Sequence, residues 1–159
     1  MALALAAFAV PTMAQPVGAD AAACSDAQAS AVLVQVGGLR NGQGTVRVQA
    51  YGPDPATFLA KGRWVRRVEV PLNGRRAVDV CLRLPATGRY AVAVRHDANA
   101  SGKSDWSDGG GFSRNPKLSL LRLKPKFEQS AIAVGRGVTR VGVVMNYRHG
   151  LSIGPERAN

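Results

Sequence analysis

The chain has 159 residues, 21 basic against 10 acidic side chains, and a formal net charge of +11. That length suits one domain with a core of its own and is short for two. The charge favours acidic partners, yet few aromatic residues interleave with the basic ones, which argues against a nucleic-acid surface.

Residues 2–13 (ALALAAFAVPTM) are apolar but too few to cross a bilayer as a helix. Thr12 and Ala14 fall at the −3 and −1 positions of a cleavage site before Gln15. Residues 1–14 therefore read as a secretory signal peptide, although no Lys or Arg precedes Arg40. Export to the periplasm or beyond follows, and with it no nucleic-acid partner. Two cysteines, Cys24 and Cys81, come after the cleavage point. In an oxidising compartment they are expected to form one disulfide tying a flexible N-terminal arm, 15–30, to a strand. The alternative leaves them as unrelated thiols, Cys81 filling core between Val80 and Leu82.

Residues 31–39 are β-branched and bounded by glycine, a first strand. Asn41-Gly42 is a hairpin-turn signal, and 45–51 alternates Val46, Val48 and Ala50 with Arg47 and Gln49. Pro53 and Pro55 break that strand, and 56–62 suits one helical turn with Phe58 as its core contact. Strands are expected again over 64–72, 77–84 and 90–96. The glycine-rich stretch 106–115 suits tight turns or close backbone approach. Residues 130–134 and 138–147 read as a final strand pair joined at 135–137. The expected fold is all-β, an antiparallel seven-stranded sandwich of immunoglobulin or transthyretin-like type over 31–147. Residues 148–159 are expected to be a loose tail.

The polar loop after the 90–96 strand carries the densest chemistry. Asp97, Asn99, Ser101, Gly102 and Asp105 stand at offsets 1, 3, 5, 6 and 9 of a calcium-binding loop, and Asp108 at offset 12. Calcium is the candidate cofactor, with carboxylates from Asp97, Asp105 and Asp108, neutral oxygens from Asn99 and Ser101, and the carbonyl of Lys103. Against it, Arg95 and Lys103 bring positive charge close by, and an Asx-rich turn bonding its own backbone would use the same residues.

The same stretch resembles a known family. Gly88, Tyr90 and Ala91, the His96-Asp97 loop with Asn99, Gly102 and Asp105, Gly111-Phe112-Ser113, and 125–131 (PKFEQSA) are similar to the exported bacterial family catalogued as domain of unknown function 2141. The resemblance spans 31–147 and implies an exported sandwich-type domain with no established biochemical activity. The chain departs from the pattern in its extra basic residues and at Ala100-Ser101.

No catalytic set is legible in the spacing. The reading is a non-catalytic binding or structural accessory module. The alternative is a hydrolase of the cell envelope working through His96 and Asp97, with Ser104 or Ser113 as nucleophile. A basic run, Arg114, Lys117, Arg122, Lys124 and Lys126, has no acidic residue before Glu128. It is the candidate anion-binding surface for an acidic glycan or an anionic membrane.

Overall fold

The computed structural model describes residues 14–157, so the expected signal peptide, apart from Ala14, lies outside the described residues. Ten strands run in chain order: β1 (Ser30–Gly37), β2 (Thr45–Tyr51), β3 (Arg66–Pro71), β4 (Val78–Leu84), β5 (Gly88–Asp97), β6 (Gly109–Phe112), β7 (Ala131–Val134), β8 (Gly137–Val144), β9 (Asn146–His149) and β10 (Ser152–Pro155). The only α-helix among the described residues is one turn, α1 (Phe127–Ser130).

The strands form two sheets. The smaller has the order β4-β1-β8, and the larger the order β10-β9-β6-β5-β2-β3, with β7 paired to the first half of β5. Period-two alternation drives one face of each sheet inward. Val32, Val34 and Val36 of β1 and Val80 and Leu82 of β4 meet Val46 and Val48 of β2 and Val92 and Val94 of β5 in one core.

Two expectations about topology are corrected. The described residues form ten strands, seven of them in the large sheet, and the pairing is not wholly antiparallel because β1 and β8 run parallel. The expected hairpin of 130–134 with 138–147 does not form: β7 pairs with β5, whereas β8 pairs with β1. The chain crosses between sheets at 135–137, where Gly137 takes a positive φ of 78° and its N–H donates to the Ala29 carbonyl.

Residues 15–30 are more tightly held than a flexible arm. Val17 bridges to Val80, and a 3-10 turn over Ala21–Ser25 lays Ala23 and Cys24 against Ala31 and Cys81 on the outer face of the small sheet. Cys24 and Cys81 are disulfide-bonded. Asp20, 8% exposed, accepts two hydrogen bonds from the Arg66 guanidinium and one from the Arg83 backbone N–H at 2.9 Å. Burial alone would raise the Asp20 carboxyl, but those bonds and the charges of Arg66 and Arg83 hold it below 3.8.

The segment expected as a loose tail is a hairpin, β9 with β10, closed further by Arg40 donating to Glu156 at 2.9 Å. Tyr147 anchors it: this residue is 1% exposed and lies over Gly109, where a Cβ would collide with the phenol ring. A glycine is required there because the aromatic ring fills the space a side chain would need.

Candidate functional site

Strand β5 delivers His96 and Asp97 to the start of the 97–108 loop. Gly44 (φ 71°) lets β2 approach so closely that a Cβ there would strike the Asp97 carbonyl. His96 is fully buried. Its Nε2 lies 2.8 Å from the Gln43 carbonyl, which can only accept, so Nε2 carries the proton. Nδ1 then accepts from the Tyr147 hydroxyl at 2.6 Å, and that oxygen accepts the Arg40 N–H at 3.0 Å. Burial raises the Tyr147 phenol above 10.0, with the Arg40 N–H and charge acting the other way. Both imidazole nitrogens are thus committed to a buried chain, and His96, on β5, joins the segment before β2 to β9. Ser113 is also fully buried; its oxygen accepts the Val92 N–H at 2.9 Å and donates to the Ser130 carbonyl.

Within the loop, Asp97 acts on backbone. Oδ1 accepts the Ser101 N–H at 3.0 Å and Oδ2 the Gly102 N–H at 2.8 Å. Asn99 donates to Asp105 Oδ2 at 2.8 Å and accepts the Ser101 N–H at 3.1 Å. Ser101 donates to the Lys103 carbonyl at 3.0 Å. Asp105 Oδ1 accepts from Ser107 twice, at 2.8 and 2.6 Å. The hydrogen bonds from Ser107 and then Asn99 hold its carboxyl down to about 2.

A cation does sit among these oxygens, and it is a side chain. Arg95 Nε donates to Asp108 Oδ2 at 3.0 Å; Arg95 Nη2 reaches Asp97 Oδ2 at 3.3 Å, Asp108 Oδ2 at 3.0 Å and the Lys103 carbonyl. The two carboxylate side chains are only 7% and 8% exposed. Of the six residues expected to bind calcium, Asp97, Lys103 and Asp108 therefore turn to the guanidinium, while Asn99 and Ser101 turn to Asp105. Asp108 Oδ1 is left buried without a partner. Among the described residues, no group of three or more His, Cys, Asp or Glu side chains is placed to hold a metal ion.

Two clefts flank β6, and Asp108, Gly110 and Phe112 line both. One, of about 310 Å³, is walled by Gln49, Tyr51, Arg95, Ser104 and Lys124. Beside it, Arg67 pairs across the strands with Gln49 and stacks its guanidinium 3.7 Å from the Trp64 ring. Arg67 Nε is buried with no hydrogen-bond partner. Burial, followed by the charge of Arg47, lowers the Arg67 pKa; Glu69 and Tyr51 act the other way, and Arg95 adds to the repulsion. Arg47 itself is paired to Glu69 at 2.6 Å. Trp64, Tyr51 and Trp106 have separate neighbours: Arg67 over Trp64, Phe58 edge-on to Tyr51, Arg148 over Trp106.

The residues of the basic run have different neighbours. Arg114 donates to the Glu128 carbonyl at 3.0 Å, and the Lys126 N–H caps the α1 turn through Gln129. Lys117, Arg122 and Lys124 lie on the loop between Ser113 and α1, and none takes part in an ion pair among the described residues.

Fold and site define an all-β, disulfide-bonded two-sheet domain with a guanidinium-closed loop. The chain belongs to the family described as "Uncharacterized protein conserved in bacteria (DUF2141)", which matches residues 34–142. No curated protein and no solved structure matches.

Proposed function

We propose that the protein is an exported, non-catalytic binding module, a sandwich of the immunoglobulin or transthyretin-like kind, whose ligand is an acidic glycan held on the outer face of the large sheet. The observation that carries this reading is Arg67, half-buried, with its Nε shut off from water and bonded to nothing, Arg47 and Arg95 nearby, and Glu69, the carboxylate that acts on it, already paired to Arg47. An uncompensated, partly desolvated cation is costly unless an anion completes it. The adjacent cleft offers an aromatic edge in Phe112, amide and hydroxyl groups in Gln49 and Ser104, and a second cation in Lys124. These are the groups a carboxylate-bearing sugar needs. Export rests on residues 1–14 and agrees with the disulfide. The hydrolase alternative gains nothing from His96, whose buried ring reaches no substrate. In the same reading Arg95 supplies the loop's positive charge, so calcium is not required.

On immobilised polygalacturonate, the protein is expected to be retained and to elute as salt rises. Arg67→Gln should weaken binding about tenfold, the worth of one charge-assisted hydrogen bond. Arg140→Gln, on the small sheet, should not. Equal elution of wild type and Arg67→Gln would refute the assignment.

A further inference from the structure

A different surface carries a second binding property. Between Asp108 and Glu128 the chain has no acidic residue, and the middle of that stretch, 117–124 (KLSLLRLK), folds into a tight turn. Ser119 and Arg122 exchange backbone hydrogen bonds, at 3.2 and 2.9 Å, which leaves Leu120 and Leu121 at the apex. Leu121 is fully exposed, Leu123 is 48% exposed, and Trp106 is 73% exposed. Leu123 and Trp106 line one largely apolar groove of about 240 Å³ with Leu118, Leu120 and Ile153, and Asp105 and Asp108 also border it, the latter turned to Arg95. Lys117 and Arg122 stand beside Leu121, and Arg148 stacks at 4.0 Å on Trp106.

Single exposed leucines need no explanation, but an apolar apex joined to an exposed tryptophan inside a collar of unpaired cations does. From this arrangement we infer that the 117–124 turn and Trp106 form a docking tip for an anionic phospholipid bilayer. Lys117, Arg122, Lys124 and Arg148 meet the headgroup charge, while Leu121 and Leu123 enter the headgroup–acyl boundary with Trp106 at the interface. The reciprocal Ser119–Arg122 bonds suit this depth, because they satisfy backbone groups that would otherwise lose water. An acidic glycan would use the cations but give Leu121 nothing to bury against; the leucine apex is what selects lipid. The inference does not rest on Arg67, and of the residues lining its cleft it uses Lys124 alone.

The experiment is sedimentation of the processed chain, from Gln15 on, with vesicles of phosphatidylcholine alone and of phosphatidylcholine mixed with phosphatidylglycerol, while following tryptophan emission. Expected are binding to the mixed vesicles only, weakening with salt, and a blue shift that is lost in Trp106→Phe. Leu121→Ser, at a position with no packing to lose, should bind about tenfold more weakly. Undiminished binding by Leu121→Ser would mean plain electrostatic adsorption and overturn the tip, as would no binding at all. Retention on polygalacturonate without vesicle binding would overturn this inference and leave the glycan reading standing; vesicle binding without such retention would do the reverse.

Discussion

Replacing Arg95 with Lys is expected to lower the unfolding free energy by about 3 kcal/mol, close to the loss caused by Arg95→Ala. The guanidinium bonds Asp108 through Nε and reaches Asp97, Asp108 and the Lys103 carbonyl through Nη2. A lysine has one nitrogen and cannot serve those directions together. It would leave two carboxylates, each more than nine-tenths buried, facing one another with their charge poorly met. Breaking a buried pair costs about 3–5 kcal/mol, and the low end applies because the Arg95 side chain keeps 20% of its surface in water. Denaturant unfolding measures the loss. Amide exchange should show it first at Ser101 and Gly102, whose N–H groups rest on Asp97. A loss below about 1 kcal/mol would reduce the network to a surface ion pair.

Removing the disulfide has a comparable effect. With Cys24 and Cys81 separated by 57 positions in sequence, the chain-entropy model gives about 4 kcal/mol for the double variant Cys24→Ser/Cys81→Ser. The arm would then hold by noncovalent contacts, those of Val17, Ala23 and Asp20 among them, and the Asp20 contacts make its docking sensitive to acid. Asp20 is held below its ordinary 3.8 in the fold. Its contribution is therefore present above pH 3.8 and lost as pH falls through the lower folded value. Arg66 is 41% exposed on its side chain, which keeps that contribution modest. Unfolding curves of the double variant at neutral pH and through the acid range check both points. A variant as stable as wild type would show that the cross-link adds nothing to the fold.

What the sequence made legible follows from the range of each signal. The strands 45–51 and 78–84 and the disulfide could be read because alternation and cysteine pairing are local or compartmental facts. The parallel β1–β8 pairing could not, since nothing local to either strand records which edge it will meet. The 148–155 hairpin was hidden by Gly150, Gly154 and Pro155, which announce turns but not that Tyr147 is buried over Gly109. In the loop, the oxygens at calcium-loop offsets are visible, and Arg95, a charge weighed there against calcium, is hydrogen-bonded to two of their carboxylates. Period two in β5 places Arg95 on the same side as Asp97; that was the available signal. Asp108 closes the arrangement from a position only the fold determines.

The central claim is that the 97–108 loop carries its own cation. Thermal unfolding of the processed protein, stripped with chelator and then titrated with calcium to millimolar levels, tests it most directly. The account predicts one midpoint throughout. A midpoint that climbs by several degrees as calcium is added, and falls again with chelator, would contradict it.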